Sequence, residues 1–186
     1  MVAAWTTLEW ASLVVAAMVP LVVGVLGAVV ARSLRHVEDA QWGNRKLIEL
    51  RLELYSDMAL PLNDLLCFFR CVGDYAEITP PEALRRKRRL DKSFYVGEHL
   101  MSGAFAAAYH AFMEACFLTF TARAAPAQLR ASIKKQRAER EHWEPAWDVH
   151  LIPVDMTPTG LAEINARYKA LMAAFRRDIG IGDAER

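Results

Sequence analysis

Five consecutive bases, Arg85-Arg86-Lys87-Arg88-Arg89, followed by Lys92, are the densest run of chemistry-bearing side chains in the sequence. Cations at that density attract phosphate, either in anionic lipid headgroups, at about 1 kcal/mol per nearby base, or in a nucleic-acid backbone. The plainer alternative is a solvated helix face whose charges pair with Glu82, Asp91 and Glu98. Cys67 and Cys71 stand one helical turn apart and could share a metal or a redox partner. Two thiols fall short of a metal's ligand set, and no His or third Cys is near in sequence, so core packing is the simpler role. No metal and no cofactor are expected. His99, His110 and His150 stand singly. No Ser/His/Asp order, phosphate-cradling Gly loop or paired-carboxylate spacing is evident, so the chain reads as non-enzymatic.

One further pair carries a sharper alternative. Arg137 and His142, in Arg137-Ala-Glu-Arg-Glu-His142, match the pattern R-x4–6-H. That pattern resembles the signature of the HEPN family of helical RNases and RNA binders. The resemblance implies an Arg that stabilises phosphate charge and a His that moves a proton. The match lies at a charged helix end beside Trp143 and Pro145, where solvated side chains are the ordinary reading.

Composition narrows the classes. Apolar residues make up 54% and charged residues 24% of 186, which excludes a disordered chain. Lys and Arg number 23 against 22 Asp and Glu, a formal charge of +1. Net charge therefore gives no argument for nucleic acid, the least favoured partner. Three Cys without a CxxC exclude a disulfide scaffold and a zinc finger.

The elements that would position these residues begin with an apolar run. From Trp10 to Ala31 there is no charged side chain. At about 1.5 Å per residue the run spans roughly 33 Å, against a hydrocarbon core of about 30 Å. It predicts a transmembrane helix over 10–32, after a short extracytoplasmic stretch 1–9, rather than a signal peptide with a basic n-region. Arg32 and Arg35 follow the run and no base precedes it, which predicts the N-terminus outside and 33–186 in the cytosol of a single-pass protein of the cytoplasmic membrane. Ala16, Gly24 and Ala28, with Pro20, line small residues along one stripe, the pattern of helix–helix association in a homo-oligomer.

The rest reads as all-α, a cytosolic bundle of five or six helices. Ile48, Leu52, Tyr55, Ala59, Leu62, Leu66 and Phe69 form a seam with steps of four and three, interrupted at Pro61, and Gly73 marks its end. Thr79-Pro80-Pro81-Glu82 is a helix start running to about Leu100. Phe105, Tyr109, Phe112, Met113, Cys116, Phe117 and Phe120 cover one wide face of the next helix. Residues 127–141 predict a thinner helix, 142–158 a packed Trp-bearing loop, and Leu161 to Ile179 a last helix, capped by Thr157 or Thr159 and stopped at Gly180. No strand is expected.

From Gln41 to about 120 the chain resembles a family of uncharacterised bacterial single-pass membrane proteins. The matching stretches include Gln41-Trp42-x-Asn44, Arg51-x-x-x-Tyr55, Leu62-Asn63-Asp64-Leu65-Leu66-Cys67, Thr79-Pro80-Pro81 and Tyr109-x-x-Phe112-Met113-x-x-Cys116-Phe117. The resemblance implies a membrane anchor and a helical cytosolic domain, and no activity. The expected function is a membrane-anchored helical module acting by self-assembly or by docking a cytosolic protein. A HEPN-like RNA-cleaving or RNA-sensing defence effector and an oligomeric membrane pore are the alternatives.

Overall fold

The computed structural model describes residues 7–119, 126–153 and 158–181; over 7–41, most side chains lie outside the described residues. Five α-helices and one small strand pair are described: α1 (Thr7–Arg70), α2 (Pro80–Gly97), α3 (Gly103–Cys116), β1 (Phe117–Leu118), β2 (Gln128–Leu129), α4 (Ile133–Ala138) and α5 (Pro158–Asp178). Short 3-10 segments occupy Gly73–Glu77, Glu98–Leu100 and Pro145–His150. The chain divides into two units, Met1–Lys46 and Leu47–Arg186.

The membrane expectation is corrected. Among the described residues, no helix is long and apolar enough to cross a membrane. The run 10–31 is not an element of its own. It opens a helix of 64 residues that carries on through Arg32 and Arg35. The single-pass fold, its membrane location and the topology built on it are therefore not supported.

Helix α1 continues through Pro61 as one element, so the seam's interruption there does not divide it into two helices. It ends on the left-handed Cys71 (φ 55°), with Val72 N donating to the Cys67 carbonyl at 3.2 Å, a Schellman-type stop. Gly73 (φ 61°) follows. Its buried stripe is Leu54, Met58, Leu62, Leu65 and Phe69, with Leu66 and Phe68 beside it. The expected seam is displaced at its start: Ile48 and Leu52 are exposed. Steps of four, four, three and four keep to the 3.6-residue period of a straight helix, whereas the seam drawn from sequence drifts off it.

Helix α2 starts as the sequence expects, with Thr79 Oγ1 accepting from Glu82 N at 3.3 Å and Pro80 in the first turn. Ser102 caps α3 by accepting from Phe105 N at 3.2 Å, and Phe105, Tyr109, Phe112, Met113 and Cys116 are all buried. Helix α3 packs along α5, whose Ile164, Leu171 and Phe175 face inward, with Ile179 buried just past its end. Ring contacts tie the layers: Phe94 stacks on Tyr109 at 4.1 Å, and Phe105 meets Phe175 at 4.3 Å. Gly97 lets α2 approach α1 closely, because a Cβ there would stand 2.6 Å from Leu54 Cδ2.

The strand pair was not anticipated. Phe117 pairs with Leu129 and Leu118 with Gln128, antiparallel, and Leu129 also bridges Leu151 in parallel. The helix expected over 127–141 is confined to Ile133–Ala138, because 128–129 are held extended in this pair. Phe120, Thr157 and the side chain of Thr159 lie outside the described residues.

Candidate functional site

The basic run lies on α2, where helical geometry and distant acids sort it into two groups. Arg86 turns toward α1: its Nε donates to Asp64 Oδ2 at 3.1 Å and its Nη1 lies 3.4 Å from Glu82 Oε1. Lys87 is largely buried, donates to Asp91 Oδ2 at 2.6 Å and stands 5.5 Å over the Phe117 ring. Asp91 accepts a second hydrogen bond, 2.9 Å from the Tyr109 hydroxyl. Burial, and then the Asp91 charge, push the Tyr109 phenol pKa well up, so the hydroxyl keeps its proton and donates. These two cations are parts of the fold.

The other cations are not. Arg85 is exposed and donates to Glu82 Oε2 from its own helix at 2.6 Å. Arg88, Arg89 and Lys92 are exposed and form no ion pair among the described residues. Positions 85, 88, 89 and 92 recur at three and four, so they share one helix face. Beyond Lys92 that face ends in Tyr95 and Val96, 64% and 67% exposed. The exposed His110 ring of α3 comes alongside, 6.5 Å from Tyr95 and 5.0 Å from Phe94 by ring centroids. Tyr95 and His110 were not singled out as a pair from sequence; only the packing of α3 on α2 brings them together.

Arg137 and His142 flank a Trp cluster. The Arg137 guanidinium pairs with Asp148 and lies 5.9 Å from the Trp143 ring. Trp143 Nε1 donates to the other Asp148 oxygen at 3.0 Å. His142 is exposed, 3.8 Å from Glu144 and edge-on to Trp147 at 6.1 Å. Asp148 meets the charge that Arg137 would otherwise offer a phosphate.

Among the described residues, the buried charged side chain is Arg140, 8% exposed. Its Nε donates to Gln136 Oε1 at 3.0 Å, Nη1 to the Ala76 carbonyl at 2.8 Å, and Nη2 to the Tyr75 and Ile78 carbonyls at 2.9 Å each. Gln136 in turn donates to the Phe68 carbonyl at 3.0 Å and approaches Cys71 Sγ at 3.6 Å. Burial raises the Cys71 thiol pKa, so the group is a packed thiol rather than a reactive thiolate. Cys116, fully buried, is pushed up further by the same cause. Among the described residues, no group of three His, Cys, Asp or Glu could hold a metal ion.

The small-residue stripe is only partly visible. Gly24 is exposed, with nothing within 4 Å of where a Cβ would stand. The side chains of Ala16 and Ala28 lie outside the described residues.

No family model, curated protein or solved structure matches this chain.

Proposed function

We propose that this protein is a non-catalytic helical docking module that presents the outer face of α2 to a polyanionic partner. The observation that carries the reading is the division of the basic run. Arg86 and Lys87 are held by Asp64, Glu82 and Asp91, while Arg88, Arg89 and Lys92 stay exposed without an ion pair among the described residues. Like charges three and four residues apart repel by a few tenths of a kcal/mol each, so the row slightly destabilises the helix alone. A polyanion relieves that repulsion and releases its own counterions. The rigid core beneath, with Phe94 stacked on Tyr109, holds the row in place.

With a formal charge of only +1, retention on an anionic matrix reports a local patch rather than net charge. The full chain is expected to be retained on a phosphate-bearing matrix at low salt. The variant with Arg88, Arg89 and Lys92 all changed to Gln is expected to pass through. A wild type that passes through at 50 mM salt removes the reading.

A further inference from the structure

The cationic row does not end in more charge; it ends in exposed rings. Tyr95 lies seven residues after Arg88 and three after Lys92, about 10 Å and 5 Å along the helix at 1.5 Å per residue. It is 64% exposed, and His110 of α3 stands beside it at 6.5 Å. Glu98 and Glu114 are the acidic side chains nearest in sequence to these rings, and both are exposed. The row itself runs along α2 from Arg85 toward Tyr95.

We infer that this strip binds single-stranded nucleic acid, with Arg88, Arg89 and Lys92 on successive phosphates and the Tyr95 ring, flanked by His110, stacking an unpaired base. The inference rests on the docking reading above and names the partner's class. Cations alone suit any polyanion. An aromatic face at the end of a cation row adds a contact that only an unstacked base uses fully, since every base offers a π-face and a duplex hides it. Polyglutamate, an acidic polypeptide, carries no aromatic face to stack on Tyr95. RNA and DNA single strands share this chemistry and differ only at the 2′-hydroxyl.

The test is fluorescence anisotropy of the full chain with labelled ten-residue oligo(U) and oligo(dT), a DNA duplex of equal length, polyglutamate, and vesicles of mixed neutral and anionic phospholipid. The single strands are expected to bind, with log K falling against log salt at a slope of about −2, from three phosphate contacts at roughly 0.7 each. Tyr95→Ala is expected to weaken binding about tenfold and Tyr95→Phe to retain it, with unchanged urea midpoints because the ring is exposed. Preference for oligo(U) over oligo(dT), or the reverse, assigns the strand type within the inference. Equal affinity for the duplex or for polyglutamate, vesicle binding without oligonucleotide binding, or indifference to Tyr95→Ala overturns it. Retention on the phosphate matrix without oligonucleotide binding defeats this inference alone; loss of both defeats the docking reading as well.

Discussion

Arg140 and Tyr75 hold each other at two points. The Arg140 Nη2 donates to the Tyr75 carbonyl at 2.9 Å while the guanidinium lies 5.4 Å from the Tyr75 ring. The Tyr75 hydroxyl in turn donates to the carbonyl of Glu139, the residue before Arg140. A charge almost removed from water is thus matched by three carbonyls and a side-chain amide, with no carboxylate bonded to it. The clasp fastens the segment after α1 to the end of α4. Arg140→Ala is expected to cost about 3 kcal/mol, because it strands the buried Ile78 carbonyl, at roughly 1–3 kcal/mol, and leaves the part-buried Tyr75 and Ala76 carbonyls to be only partly satisfied by water. Arg140→Lys should recover only part, since a point charge cannot reach all the acceptors of the planar fork. Urea unfolding of the three proteins checks both; a loss below 1 kcal/mol for Arg140→Ala would mean that water replaces the guanidinium.

The Tyr109–Asp91 bond sets a pH dependence. The Tyr109 pKa is raised in the fold, so below the unfolded value of about 10 both states hold the proton and the bond contributes fully. As pH rises through 10 the unfolded state ionises first and stability falls. Melting temperature should decline more steeply between pH 9 and 11 in wild type than in Tyr109→Phe. Parallel curves would show that the phenol is not held protonated.

Gly97 lies where α2 crosses Leu54. A methyl group there would meet Leu54 Cδ2 at 2.6 Å and Cδ1 at 2.9 Å. Gly97→Ala is expected to destabilise by about 1–3 kcal/mol despite the better helix propensity of Ala. Adding Leu54→Ala should then cost less than it does in wild type, because removing the Leu54 Cδ atoms also relieves the clash. Additive losses in denaturant would place the strain elsewhere.

Arg137→Ala is expected to cost at most about 1 kcal/mol, since its pair with Asp148 is half exposed, and His142→Ala essentially nothing. Neither protein nor wild type should cleave RNA. Metal-independent cleavage by wild type, lost in His142→Ala, would restore the RNase alternative.

Much of the helical order was legible because its causes are local. Thr79, Pro80 and Glu82 lie within four residues and define a helix start whatever surrounds them. Phe105, Tyr109, Phe112, Met113 and Cys116 repeat at the helical period, and burial follows from the period alone. The strand pair carried no such signal, because two residues are too few to show a period of two. The apolar run 10–31 misled in the other direction: its lack of charge predicts a span, whereas among the described residues no helix is long and apolar enough to cross a membrane.

The sequence by itself determined where α2 begins, which face of α3 turns inward, and that six bases crowd one helix. Tertiary structure alone decided what those bases do. Asp64, 22 residues from Arg86, draws that cation into the fold, and Asp91, held by Tyr109, keeps Lys87 beside it. Arg140 is buried because carbonyls more than 60 residues away converge on it. A side chain's type and spacing set its charge and its direction around a helix; whether that charge meets a partner or solvent depends on chain segments that only folding brings near.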